Sequence, residues 1–177
     1  MPKRSDGLEA DLRVEPLNRG HNRAEFSCGE ETLDRYLKGQ AGQDARRKFN
    51  AVFVMVRTEE PGRVLGYFSL SAYSLPWVQI PESIRNRLPR HDQVSAMLIG
   101  QFAVAREQQG QGLGGILLDR AICKAYESAG DVGSCLVVVD ALTDAAANFY
   151  RAFDFVPLAD SNRLILPMWL VKTLAET

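Results

Sequence analysis

The chain has 177 residues, 46% of them hydrophobic, which suits one domain spanning residues 1–177 with a sizeable core. Twenty-one Lys and Arg against 22 Asp and Glu give a formal net charge of -1, so bulk charge does not mark a nucleic-acid binder and any basic surface must be local. The three cysteines (Cys28, Cys123, Cys135) lack CxxC or His-paired spacing, which argues against a disulfide framework and structural zinc, and no apolar run reaches membrane-span length. These features predict a cytoplasmic protein with no metal and no membrane contact.

In chain order, Leu12 to Glu15 predicts a short strand. Ser27-Cys28-Gly29-Glu30 supplies a capping-box pattern ahead of Leu33, Tyr36 and Leu37, predicting one helix from about Glu30 past Gln40. Ala51 to Arg57 and Val64 to Tyr73 are rich in β-formers around Glu60-Pro61-Gly62, the composition of an antiparallel hairpin. Leu75 to Gln93, with Pro76, Pro81 and Pro89, reads as a loop. Ala96 to Ala105 then predicts a strand, followed by a glycine-rich loop and a helix marked by Leu113, Ile116, Leu117, Ala121 and Ala125. Ser134 to Asp140 has the unbroken apolar run of a strand covered on both faces, Asp144 to Phe153 predicts a short helix, and strands near Phe155 and from Leu164 to Met168 end the chain. The fold class is therefore α/β (α+β): a mixed, mostly antiparallel central sheet with a parallel βαβ crossover, flanked by helices.

Gly110, Gly112 and Gly115 satisfy GxGxxG, yet the context of a dinucleotide site is missing. Ala105 to Gln109 separates the strand end from the first glycine, and too few residues follow Asp140 for the remaining βα units, which leaves Asp140 as a polar strand end. A P-loop is excluded because Gly114-Gly115 is followed by Ile116 in place of Lys-Ser/Thr. The remaining reading is a helix N-terminus whose backbone N–H groups, from Gly110 to Gly115, face a pyrophosphate.

The stretch QFAVAREQQGQGLGGILL resembles the acetyl-CoA loop of the GNAT acetyltransferase superfamily, Q/RxxGxG/A, with Gln109, Gly112 and Gly114 in the motif positions. The resemblance implies that the backbone of Phe102, Ala103 and Val104 pairs with the pantetheine arm of acetyl-CoA. The loop of Gln109, Gly110, Gln111, Gly112, Leu113, Gly114 and Gly115 would then hold the pyrophosphate. ANFYRAFDF is similar to the superfamily's AxxFYxxxGF segment, which places Tyr150 beside the cofactor thiol and Asn148 near its arm, with Asp154 where glycine is usual. Acetyl transfer to an amine needs stabilisation of an oxyanion, for which strand N–H groups around Val104 are candidates. It also needs a proton for the departing thiolate, for which the Tyr150 phenol is the candidate. No general base stands out; His21 and His91 read as surface histidines, and Cys28 reads as a buried cap without a histidine partner.

FSCGEETLDRYLKGQAGQDARRKFNAVFV, with GYFSLSAYSLP, IGQFAV and LILPM, resembles the toxin GNAT acetyltransferases of bacterial toxin–antitoxin pairs over nearly the whole chain, although Gln101 stands where arginine is expected. That resemblance implies acetylation of the α-amino group of aminoacyl-tRNA, a block on translation, and restraint by a ribbon-helix-helix antitoxin; a homodimer is compatible with it. Arg46 and Arg47 sit among five cations and one carboxylate between Arg35 and Asn50, and Arg85, Arg87 and Arg90 form a second cluster. Both suit phosphate contact, and both equally suit a solvated surface. Two alternatives stay open at this level: acetylation of a small amine or a protein N-terminus, and a non-catalytic acyl-CoA-binding regulator.

Overall fold

A computed structural model describes residues 9–175. Its strands are β1 (Leu12–Pro16), β2 (Ala51–Arg57), β3 (Gly66–Pro76), β4 (Gln93–Val104), β5 (Leu136–Asp140), β6 (Val156–Pro157) and β7 (Arg163–Pro167). Its helices are α1 (Glu31–Gly39), α2 (Ala41–Arg46), α3 (Glu82–Arg85), α4 (Leu113–Val132), α5 (Asp144–Arg151) and α6 (Met168–Ala175), with single 3-10 turns at Trp77–Gln79 and Arg106–Gln108. Hydrogen-bonded neighbours follow the order β1-β2-β3-β4-β5-β7-β6, a mixed seven-stranded sheet. Among its described residues the chain packs as two compact units, residues 9–71 with 100–121 and residues 72–99 with 122–175.

In the first unit β1 and β2 pair antiparallel from Leu12↔Arg57 to Pro16↔Phe53, and β2 and β3 from Ala51↔Leu70 to Met55↔Gly66. The expected hairpin is present, and its connection is two successive turns, Glu60 N donating to Arg57 O and Arg63 N to Glu60 O. Alternation along β2 sends Val52, Val54 and Val56 inward, where they meet Phe26, Leu37 and Tyr67. Tyr67 secures α1 to this layer: its hydroxyl donates to Leu33 O at 2.7 Å, and its ring stacks on Tyr36 with centroids 6.3 Å apart. The expected capping box does not form. Glu30 is the N-cap of α1 without a side-chain bond, and the Asp34 carboxylate takes the Cys28 N–H at 2.8 Å. The expected single helix is also broken at Gln40 (φ -125°), after which α2 starts.

In the second unit β4 and β5 run parallel from Ala96↔Leu136 to Ile99↔Val139, the predicted crossover. β7 lies antiparallel to β5 from Leu136↔Pro167 to Asp140↔Arg163. Leu136 to Val139 are completely buried, as their apolar run implies. Ile84 of α3 and Trp169 of α6 pack over Leu75, Val94, Leu136 and Ile165. Two expectations change here. The proline-rich stretch is not plain loop, because Pro81 opens α3 with its fixed φ and β4 begins at Gln93. The chain does not end on a strand either, since α6 follows Pro167 at once.

Candidate active site

β4 pairs with β5 from Ala96 to Ile99 and itself runs on through Phe102, Ala103 and Val104. The chain then turns through Arg106–Gln108, tied down by Arg106 N donating to Ser27 O at 2.7 Å. Gln109 locks the turn: its side-chain Nε2 donates to Val104 O at 2.9 Å and to Cys28 O at 2.7 Å. Its amide is thus a strut for the loop. Beyond it Gly110 (φ 78°) and Gly112 (φ 85°) hold left-handed backbone, and a β-carbon built on either meets no atom within 4 Å. Gln111, between them, is exposed and donates to Glu107 O at 3.3 Å.

Leu113, 1% exposed, plugs the first turn of α4 into the core, and Gly114 and Gly115 follow without side chains to cover that turn. First-turn N–H groups have no partner within a helix and carry the positive end of its dipole. Open glycines running into the N-terminus of a 20-residue helix therefore fit an approaching diphosphate, the group that acyl-CoA presents.

Tyr150 lies on α5, whose start is capped by Thr143 Oγ1 accepting from Ala146 N at 3.1 Å. Tyr150 is 6% exposed, and its ring lies 5.7 Å from that of Phe155. Burial, reinforced by the Asp140 carboxylate, pushes its phenol up to about 12. The chain leaves α5 through Asp154 in left-handed backbone (φ 69°), so aspartate keeps the conformation for which glycine is usual. Asn148 is exposed and accepts from Arg151 at 3.3 Å.

Asp140, read from sequence as a plain strand end, is paired with Arg163 at 2.8 Å, and Arg163 also bonds the Tyr73 hydroxyl and lies over its ring. The only sequence signal was a pair of opposite charges at two strand ends, which becomes legible once the β5–β7 register sets Asp140 opposite Arg163.

Of the cations singled out, Arg46 and Arg47 are exposed at the end of α2. Arg85 is half-buried, Arg87 lies over the Trp169 ring at 4.8 Å, and Arg90 is exposed. Cys28 is buried and its thiol is pushed up to about 11, chiefly by burial, which keeps it protonated at neutral pH. His21 corrects the surface reading. It is 5% exposed, with Nδ1 accepting from Asn18 N and Nε2 bonded to Glu15 at 2.7 Å, so it staples the segment after β1. Among the described residues no group of three or more His, Cys, Asp or Glu is placed to hold a metal, and no helix is long and apolar enough to cross a membrane.

Comparison with known proteins follows the same lines. The chain is 37% identical over 81% of its length, and 84% of the relative's, to a tRNA-acetylating toxin of Mycobacterium tuberculosis. The structure is similar to AtaT complexed with acetyl-methionyl-tRNAfMet, with a TM-score of 0.85 and 27% identity over 93% of this chain and 99% of that one. A tyrosine-to-phenylalanine variant of the AtaT toxin, bound to the C-terminus of the antitoxin AtaR and acetyl-CoA, matches with a TM-score of 0.79 and 26% identity over 94% and 99%. Residues 50–157 match the acetyltransferase (GNAT) domain, and the chain is a member of that family.

Proposed function

We propose that this protein transfers the acetyl group of acetyl-CoA to the α-amino group of aminoacyl-tRNA and so acts as a toxin that blocks translation. The observation that carries the reading is the likeness to a tRNA-acetylating toxin and to AtaT with its acetylated methionyl-tRNA, over most of each chain. Gly110 to Gly115 and the N-terminus of α4 receive the pyrophosphate, and Phe102 to Val104 offer strand backbone to the pantetheine arm, with Asn148 near it. Acetyl-CoA supplies the acetyl group already activated as a thioester. N–H groups around Val104 take up the negative charge that develops on the carbonyl oxygen, and Tyr150 gives its proton to the leaving sulfur. An α-amine, with an ordinary pKa of about 7.7 to 8.0, is partly neutral at pH 7, so its attack needs little help from a base; the proton that nitrogen loses as the amide forms passes to water, and the Tyr150 phenolate regains its proton from water.

Arg46, Arg47, Arg85 and Arg90 contact tRNA phosphates in this reading, and Arg87 does so while resting on Trp169. A ribbon-helix-helix antitoxin restrains the enzyme in the cytoplasm, by analogy with AtaT held by the C-terminus of AtaR. The test is a cell-free translation reaction to which the purified protein is added with and without acetyl-CoA. Synthesis should stop only when both are present and resume when fresh charged tRNA is supplied after the protein is removed. Arrest without acetyl-CoA would sink the proposal.

A further inference from the structure

The end of α2 and the turn after it expose four successive residues, Arg46, Arg47, Lys48 and Phe49. Phe49 leaves 72% of its surface in solvent, and among the described residues it is the one exposed aromatic. The turn is pinned from below. Lys48 takes left-handed backbone (φ 58°), Phe49 N donates to Asp44 O at 2.9 Å, and Lys48 N to Ala45 O at 3.2 Å. Asp44 is itself 8% exposed, and its carboxylate accepts from the Tyr36 hydroxyl at 3.0 Å and from Asn50 Nδ2 at 3.3 Å. A hydrogen-bonded base thus holds an apolar ring in water, directly after three cations in the chain.

The cations converge as well. A β-carbon built on Gly42 would sit 2.8 Å from Arg23 Nη1 and 3.5 Å from Arg46 Nη1, so two guanidiniums crowd the same glycine. Among the described residues no ion pair engages Arg23, Arg46, Arg47 or Lys48. Like charges brought together without a carboxylate form a site for phosphate, and a preordered aromatic beside such a site is the pattern that holds unpaired nucleotides.

We infer that this patch grips an unpaired nucleotide of the RNA substrate, with Phe49 stacking on the base while Arg23, Arg46 and Arg47 take the flanking phosphates. The inference rests on the tRNA reading above and assigns Phe49 to substrate recognition. Stacking carries no charge, so its loss leaves the salt dependence of binding unchanged, whereas loss of a phosphate contact flattens it.

The experiment measures binding of the full chain to uncharged tRNA, to a single-stranded oligoribonucleotide and to a blunt RNA duplex across a salt series. Phe49→Ala should weaken tRNA and single-strand binding by about 5- to 150-fold, the equivalent of one lost base stack, with the wild-type salt slope and the wild-type affinity for duplex. Phe49→Trp should restore binding, and Arg46→Ala with Arg47→Ala should flatten the slope. Thermal unfolding of Phe49→Ala should match the wild type, since the ring is exposed. Wild-type tRNA binding that Phe49→Ala leaves untouched overturns this inference alone, whereas a wild type that neither binds nor acetylates tRNA overturns the reading beneath it. Attachment to phosphatidylglycerol vesicles that Phe49→Ala abolishes, with RNA binding unaltered, would make the patch a membrane contact and overturn the inference too.

Discussion

Tyr150, the proposed acid, shows how surroundings tune a single side chain. Packed beside Phe149 and Phe155, with the Asp140 carboxylate acting on it, it holds its proton more tightly than a free phenol, with its pKa pushed up to about 12. The sign matters. A raised phenol pKa keeps the acid form as pH rises, so the proton donor proposed here stays loaded up to about pH 10, through the range in which the α-amine becomes neutral. The rate should therefore climb as the amine loses its proton, around pH 7.7 to 8.0, and then stay level, with no descending limb below about pH 10. Tyr150→Phe should lower turnover by about 10²- to 10⁴-fold while leaving acetyl-CoA affinity nearly unchanged, because the ring keeps its packing. Steady-state rates of the two proteins across pH check both statements; equal turnover would reduce Tyr150 to a packing residue. Cys28 is the counterexample at this scale. Burial raises its thiol to about 11, which removes the nucleophile and leaves a plug whose sulfur bonds Glu30 O.

At the scale of elements, the loop between β4 and α4 joins a locked half to an open half. Gln109 bonds two carbonyls and fixes where the strand ends, and Gly110 and Gly112 leave the next stretch of backbone uncovered. Asp154 shows that aspartate tolerates left-handed backbone in this chain, so charge, more than strain, should decide the effect of an acidic residue in the loop. Calorimetry should find that Gly112→Asp abolishes acetyl-CoA binding while Gly112→Asn, similar in shape and neutral, retains part of it. Undiminished affinity in the aspartate variant would contradict the assignment of the loop.

Strand and helix periodicity made most elements legible: β2, β3, β5, α4 and α5 lie where alternation, apolar runs and three-to-four spacing put them. The misses have physical reasons. α6 starts immediately after Pro167 within one apolar run, LILPMWL, so no turn residue separates strand from helix. The capping pattern at Ser27 was outcompeted, because Ser27 O is taken by Arg106 N and Asp34 serves the Cys28 N–H, both consequences of tertiary contact. His21 is buried through a bond to Glu15, a pairing that its polar neighbours in sequence do not reveal.

For the whole molecule, a net charge of -1 conceals a patch in which Arg23, Arg46, Arg47 and Lys48 stand without carboxylate partners among the described residues. Composition averages over such a patch, and only the α1–α2 corner, held by the buried Tyr36–Asp44–Asn50 network, brings it together. The glycine loop proposed to hold the cofactor is legible in local sequence because it is a contiguous motif. The Asp140–Arg163 pair and the convergence of Arg23 on Arg46 are not, because each depends on strand register or helix packing between distant segments. Mass spectrometry decides whether the acetyl group is placed on the α-amine of aminoacyl-tRNA. Charged tRNA is incubated with the protein and isotopically labelled acetyl-CoA, and the acceptor end is released by nuclease digestion. The prediction is an aminoacyl-adenosine bearing one labelled acetyl group on its amino nitrogen, formed about 10²- to 10⁴-fold more slowly with Tyr150→Phe under the same conditions. Unmodified aminoacyl-adenosine, with the label instead on small amines or peptides in the same mixture, would contradict it.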